Sequence, residues 1–266
     1  MSLVVRRLAA GELVGAVPLL EPEGWTLSRA ELGRVHALGG AVGAFEGKRM
    51  IGFLTWLDTP PYRWIGNVAV DASARGRGVG AAIVAEAMRD AERTALYSVD
   101  KAVTLYARLG LAPHGQLHAL RADRASPGEG HADALARGDM DGIVALDARV
   151  TGMERGGLLR ALAAEYPTRV IQRDGRVVAF GIAKTYSDVT EVGPVVAEDP
   201  LDAWRVVDAL LRDTHGPHDV AVHAPVPPGW AARGFTPNFR AVPMFTGGAP
   251  RWDLTRYMAA SGLEKG

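Results

Sequence analysis

Asn67-Val68-Ala69-Val70-Asp71-Ala72-Ser73-Ala74-Arg75-Gly76-Arg77-Gly78-Val79-Gly80-Ala81-Ala82-Ile83-Val84 reads as an apolar strand, a short polar turn, and an Arg/Gly-rich loop that opens a helix. Gly76, Gly78 and Gly80 stand at alternate positions, where the missing Cβ lets the backbone approach a ligand. The first turn of a helix leaves N–H donors without intrahelical partners. With the positive end of the helix dipole, those donors form an anion site suited to a pyrophosphate. Arg75 and Arg77 add charge that packing alone does not call for.

Three loops of known chemistry share this outline. A P-loop needs Gly-Lys-Ser/Thr to close the turn, and neither Lys nor Ser/Thr follows Gly80, so that reading falls. A dinucleotide fingerprint fits formally, because Gly76, Gly78 and Ala81 satisfy G-x-G-x-x-G/A and Asp100 lies about 20 residues on. That match is superficial: in the dinucleotide fold the glycines follow directly on the first strand, whereas here the polar insert Asp71 to Ala74 and several strand-like runs come first. The third loop is one that holds an acyl-coenzyme A.

The bulk composition narrows the partners. The 266 residues, 48% hydrophobic, allow one large or two ordinary domains with a sizeable core. The 30 basic and 30 acidic residues give no net formal charge, so no overall field favours nucleic acid or an anionic membrane. Cysteine is absent, which excludes disulfides, thiolate metal sites and a Cys nucleophile. The seven histidines are read as surface or satisfied core residues, and no metal is expected. Met1 to Arg7 has no long apolar region and no later run approaches 18 apolar residues, so the expectation is a cytoplasmic protein.

Before the loop, Leu3 to Val5 reads as a strand, Glu12–Leu20 and Leu27–Leu38 as helical, and Ala41–Phe45 with Met50–Leu57 as a hairpin. The strand Trp64–Val70 follows, then a helix from Gly78 to about Arg93, the strand Ala95–Val99, and a helix with Ala102, Leu105, Tyr106 and Leu109 on one stripe. Arg121 to Gly130 is polar and holds Pro and Gly, which makes it the expected linker between domains at 1–122 and 132–266. Beyond it the plan recurs: a helical stretch Asp139–Tyr166, a hairpin Arg169–Tyr186 turning at Asp174-Gly175, a strand Glu191–Ala197, a helix Leu201–Arg212 and a strand Val220–Ala224. In this half Glu198-Asp199-Pro200 stands where an anion loop needs glycines and arginines, so pyrophosphate is repelled there.

Val68-x-Val70, then Arg75-Gly76-Arg77-Gly78-Val79-Gly80 and an Ala-rich helix, resembles the Arg/Gln-x-x-Gly-x-Gly/Ala motif of GCN5-related N-acetyltransferases (GNAT). Ala102-Val103-Thr104-Leu105-Tyr106-Ala107-Arg108-Leu109-Gly110-Leu111 is similar to that family's A-x-x-L-Y-x-x-x-G-F segment, with Leu111 in place of Phe. Glu191-Val192-Gly193-Pro194-Val195-Val196-Ala197 resembles a strand of bacterial tandem acetyltransferases whose C-terminal domain is degenerate. The resemblance implies an α/β fold of two tandem GNAT-like domains, each a mixed, mostly antiparallel sheet flanked by helices.

It also implies acetyl-CoA as co-substrate, lying where the strands Trp64–Val70 and Ala95–Val99 part, with Val68, Ala69, Val70, Arg75, Gly76, Arg77, Gly78, Val79, Gly80 and Ala81 holding it. One backbone N–H, near Asn67 or Val68, would polarise the thioester carbonyl, and Tyr106 takes the position of the acid that protonates the departing thiolate. The family's Asn before the Tyr helix is missing, with Ser98-Val99-Asp100-Lys101 in its place. Trp25, Tyr62, Trp64 and, on the second half, Glu191 are the residues expected at a small-molecule amine acceptor, with Trp56 assigned to the core. Asp58, Glu21 and Glu23 stand on the acceptor side as bases, beside direct proton loss to water. Two fused halves favour a monomer over a dimer. The competing function is a non-catalytic acyl-CoA-binding sensor or interaction module.

Overall fold

A computed structural model describes residues 3–23, 29–186 and 188–262, except the side chain of Arg29. They form two compact units: 3–114 with 244–248, and 115–243 with 249–262.

In the first unit, β1 (Leu3–Arg7) leads through a 3₁₀ turn, Ala10–Ala16, to α1 (Val17–Leu20) and α2 (Arg29–Ala37). Then come β2 (Gly39–Glu46), β3 (Arg49–Thr59) and β4 (Tyr62–Val70), followed by α3 (Val79–Met88), β5 (Arg93–Ser98), α4 (Val103–Arg108) and β6 (Ala112–Pro113). β1 to β4 pair antiparallel in chain order, while β4 and β5 are parallel. Leu13, Leu20, Leu32 and Phe53 build the core beneath α1 and α2. α3 packs its buried Val79, Ile83 and Val84 on the sheet, where Gly52 admits it, since a Cβ there would stand 2.7 Å from Val79.

The second unit holds β7 (Leu117–Ala122), β8 (Asp133–Ala134), α5 (Asp139–Thr151), α6 (Gly156–Ala163), β9 (Thr168–Arg173), β10 (Arg176–Tyr186) and β11 (Val189–Ala197). α7 (Pro200–Asp213), β12 (His218–His223), α8 (Gly229–Ala232), most of β13 (Thr236–Phe245) and β14 (Tyr257–Ala259) complete it. The expected helix Asp139–Tyr166 is two helices, because Gly152 takes a left-handed conformation at φ 67° and caps α5. The β9–β10 hairpin turns where expected, with Asp174 at φ 52° and Gly175 at φ 72°.

The compact units depart from the linear division at 122 and 132. β7 takes its partners from β12 on one edge and β13 on the other, so its backbone groups are satisfied inside the second unit. Conversely, Met244 and Phe245 at the end of β13 pair with β6, and the Thr246 N–H donates to the Thr94 carbonyl at 2.9 Å, which places 244–248 in the first unit.

The expected linker is pinned rather than free. The N–H groups of Gly128 and Gly130 donate to Asp208 of α7 at 2.9 and 3.2 Å, and Arg212 donates to both of their carbonyls. A Cβ on Gly130 would stand 2.6 Å from the Arg205 backbone, so the approach requires glycine. Asp208 is buried and also receives a two-point Arg233 contact at 2.6 and 2.9 Å. Burial pushes its carboxyl up, but Arg233 and the two amide donors outweigh that and hold it below the usual range.

A carboxyl lowered on folding adds stability that is complete above the unfolded-state value of about 4 and is lost as pH falls through the lower folded-state value. Asp208→Asn should therefore cost about 3 kcal/mol in urea unfolding at neutral pH, and the gap to the native chain should shrink as the medium is acidified below about pH 4. A gap independent of pH would show that the charge is not what holds the segment.

Candidate active site

β3 and β4 stay in register from Thr59↔Tyr62 to Thr55↔Gly66 and resume at Phe53↔Ala69. Asn67 and Val68 together face the single residue Leu54, so β4 carries a bulge. Asn67 is left-handed at φ 55°, and its Nδ2 donates to Thr55 Oγ1 at 2.8 Å. On the other edge, β4 and β5 pair only at Tyr62↔Arg93, Arg63↔Thr94 and Trp64↔Ala95. Beyond Trp64 the two strands part.

The direction of the freed groups follows from the ladder. The Asp71 N–H donates to Ile51 of β3 at 2.9 Å, so with a period of two the N–H and C=O of Val70 point the opposite way, toward the parting. The Val70 carbonyl is taken by Arg75 Nε at 3.0 Å. Val68, the second residue of the bulge, precedes Ala69, which pairs with Phe53 of β3, and so shares the outward direction of Val70.

The loop folds as the sequence requires. Asp71 accepts from the Ser73 N–H at 2.9 Å and starts a 3₁₀ turn, Ala72–Ala74. Gly76 and Gly78 are left-handed at φ 75° and 80°, with open space where a Cβ would be. They are glycines for their backbone conformation. Gly80 lies within α3, and a Cβ there would make ordinary contact with Val70 and Leu105 at 3.6 and 3.7 Å, so the space does not require glycine at this position.

Gly78 caps α3 without a side-chain bond, and the first intrahelical bond is the Ala82 N–H to the Gly78 carbonyl at 3.0 Å. That leaves the N–H groups of Val79, Gly80 and Ala81 as the donors of the first turn. Arg75 pairs with Glu23 and Arg77 with Glu46, each guanidinium about half exposed. Glu23 and Glu46 carry no anion-site signature in the sequence, and only their fold position shows that they balance the loop arginines. Glu23 is thus engaged by Arg75, and Asp58 by Arg63 at 2.9 Å, so each of these two carboxylates has an arginine partner in this structure.

Tyr106 lies on α4, 6% exposed, and burial pushes its phenol up to about 12. Its neighbour Leu105 borders Gly80, so the tyrosine helix stands against the start of α3.

The expected acceptor residues do not assemble with these. Tyr62 and Trp64 are buried around Phe245, with ring centroids 5.8 and 6.0 Å away, and the Tyr62 hydroxyl donates to the Gly248 carbonyl at 2.9 Å. They are core residues, held by a segment far along the chain for which the sequence gives no local signal. Trp56 is core as expected, under the guanidinium of Arg63. Trp25 lies outside the described residues. A groove of about 520 Å³ beside the first 3₁₀ turn, lined by Glu12, Phe45, Lys48 and Met50, meets the loop at Asp71 alone and includes neither Asn67 nor Tyr106. Among the described residues no cluster fit to hold a metal ion is formed, and no helix is long and apolar enough to cross a membrane.

The second unit repeats the geometry and closes it. β10 and β11 pair at Ala183↔Val192 and again at Gly181↔Val195, so Gly193 and Pro194 form a bulge opposite Ile182, as Asn67 and Val68 do opposite Leu54. At the second position proline offers no N–H. β11 and β12 pair only at Thr190↔His218 and Glu191↔Asp219, and β14 then takes the vacant edge at Val195↔Ala259 and Val196↔Tyr257, with the Ala260 N–H donating to the Ala221 carbonyl at 2.8 Å. A Cβ on Gly193 would collide with the Ala260 carbonyl. The N-terminus of α7 is capped by Asp199, which accepts from the Leu201 N–H at 2.8 Å, and Glu198 is held by Arg149 and Arg176, each at 2.6 Å.

β14 and its flank are locked by charge. Arg155, fully buried, grips Asp147 at 2.6 and 3.0 Å and donates to the Tyr257 hydroxyl at 2.8 Å and the Ser261 hydroxyl at 2.9 Å. Lys184, also fully buried, donates to the Ser261 carbonyl and pairs with Glu191 at 3.0 Å. Glu191, expected to meet an acceptor's ammonium, therefore meets the chain's own.

Comparison with known proteins agrees with this reading of the fold. The model of the Acetyltransferase (GNAT) family matches residues 8–111, and that of an Acetyltransferase (GNAT) domain matches 143–255. A protein assigned as an acetyltransferase from Pyrococcus horikoshii superposes with a TM-score of 0.83 at 14% identity, over 99% of this chain and 96% of that one. A tandem GNAT protein from the clavulanic acid biosynthesis pathway gives 0.65 at 15%, over 92% and 98%, and a GCN5-related N-acetyltransferase from Sphaerobacter thermophilus gives 0.64 at 14%, over 92% and 95%. No curated protein matches the sequence.

Glu191→Gln should lower the unfolding free energy by about 3 kcal/mol, because it strips the charge partner from a buried ammonium. Unchanged melting with a raised acceptor KM would instead return Glu191 to an acceptor site.

Proposed function

Because the chain belongs to the GCN5-related N-acetyltransferase family and carries two of its domains in tandem, we propose that it transfers an acetyl group from acetyl-CoA to a primary amine of a small molecule, in its first domain alone. The observation that carries this reading is the parting of β4 from β5 immediately after Trp64 and Ala95, next to an unblocked helix N-terminus. A parallel pair that ends after three residues leaves backbone donors that need a partner.

In this reading Val68 and Val70 bond the pantetheine arm through the backbone. The α3 first turn, Val79 to Ala81, with Arg75 and Arg77 receives the pyrophosphate, and Glu23 and Glu46 yield the guanidinium groups to it. The Val68 N–H, aimed by the Asn67 bulge, faces the thioester oxygen and stabilises the charge that builds there as the amine attacks. Tyr106 donates a hydrogen bond to the departing thiolate. A phenol at about 12 is too weak an acid to yield its proton freely to a thiolate near 8.5, so the proton shed by the acceptor nitrogen must reach Tyr106 as its own proton moves to sulfur. The second domain, with its opening filled by β14, binds no acyl-CoA.

Titration calorimetry tests the site. Acetyl-CoA should bind with micromolar affinity, and Arg75→Glu with Gly78→Asp should weaken it by roughly 100-fold or more, since one charge-assisted contact is lost and two carboxylates are placed beside the pyrophosphate. Absence of binding to the native chain would end the acyltransferase reading. Glu23→Gln and Glu46→Gln should tighten binding, since each frees an arginine for the pyrophosphate, and weaker binding in both would contradict the exchange.

Tyr106→Phe should lower kcat by about 100-fold with acetyl-CoA affinity retained. The ratio of native to variant rates should stay constant from about pH 7 to about pH 10, because a phenol near 12 remains protonated throughout. Equal rates would make Tyr106 a packing residue, whereas acetyl-CoA binding with no turnover in the native chain would leave a binding module as the function.

A further inference from the structure

Thr55 lies at the centre of β3, fully buried, directly opposite Gly66 and one residue short of the bulge in β4. Its hydroxyl accepts the side-chain N–H of Asn67 at 2.8 Å. We propose that Thr55 is a positioning residue for acyl transfer: by holding the Asn67 side chain it fixes the left-handed bulge, and the bulge aims the Val68 N–H into the parting of β4 and β5. The proposal deepens the acyltransferase reading and rests on it.

The argument starts from the cost of the bulge. A residue with a Cβ at φ 55° is strained, and the position needs a compensating contact or a glycine. The second unit meets no such cost in the same form: its bulge has Gly193 at φ 153°, a glycine because a Cβ there would collide with the Ala260 carbonyl, and opposite, at the place of Thr55, it has Ala183, which offers no hydroxyl. There the next residue is Pro194, so no N–H is aimed and none has to be held. The Thr–Asn bond thus occurs in the half whose bulge carries a usable donor and is replaced, on both strands, in the half that β14 fills.

Asn is also among the few non-glycine residues that enter the left-handed region readily, but an unheld Asn exchanges between that region and extended backbone. Such a flip rotates the peptide plane that carries the Val68 N–H. Since a displacement of about 1 Å can cost about 100-fold in rate, a hydroxyl one strand away from the reacting atoms can control kcat without touching substrate.

The test compares Thr55→Val, which keeps the shape and removes the hydroxyl, with Thr55→Ser, which keeps the hydroxyl. Thr55→Val should lower kcat roughly ten-fold or more, with the KM for acetyl-CoA within about two-fold of native, and Thr55→Ser should recover most of the rate. The Val68 amide resonance should be single and sharp in the native chain and in Thr55→Ser, and shifted or broadened in Thr55→Val. An unchanged kcat in Thr55→Val, or an equal fall in both variants, would overturn the proposal. A native chain that transfers no acetyl group would remove the acyltransferase reading, while an unaltered Val68 resonance in Thr55→Val would separately remove the claim that Thr55 holds the bulge.

Discussion

Everything in the first domain turns on a parallel strand pair that stops too early. β4 and β5 share register for three residues and then diverge, so the edge of β4 from Gly66 onward has backbone groups that its sheet does not satisfy. Buried backbone donors of this kind are costly unless something meets them. The bulge at Asn67 and Val68, the Val70 carbonyl held by Arg75, and the unblocked start of α3 are all arranged along that edge.

The second domain answers the same constraint from within the chain. Its β11–β12 pair stops after two residues, and β14 supplies the missing partner, secured by Arg155 and Lys184 in the interior. Proline at the bulge, aspartate at the helix cap and a strand in the opening are consistent with one another: an edge already met by the chain's own backbone has no use for free donors. One architecture therefore appears twice, once open and once closed, and the difference lies in Asn67 against Gly193, Val68 against Pro194 and Gly78 against Asp199.

Much of this was legible in the sequence, for physical reasons. The glycine loop, the polar turn and the helix after it are set by local backbone demands, and the left-handed Gly76 and Gly78 meet them. The unsuited Glu198-Asp199-Pro200 was likewise readable, since charge and capping act over a few residues. What escaped is set by distant pairing. β14 is three residues long and gains its place only against β11; β13 contains Pro237 and Pro243 and so looks unlike a strand; Tyr62 and Trp64 resemble acceptor aromatics until Phe245 arrives beside them. Glu191 was placed at the acceptor because Lys184, its partner across the strand pair, is seven residues earlier in a run of otherwise apolar sequence.

The central claim is that one chain has one acyl-CoA site, along the free edge of β4. Amide hydrogen exchange with and without acetyl-CoA measures this directly. The account predicts slowed exchange at Val68, Val70 and Val79 to Ala81, with the amides of β11 and the start of α7 unchanged at saturating ligand. Protection of β11 or α7, or none in the first domain, would contradict it.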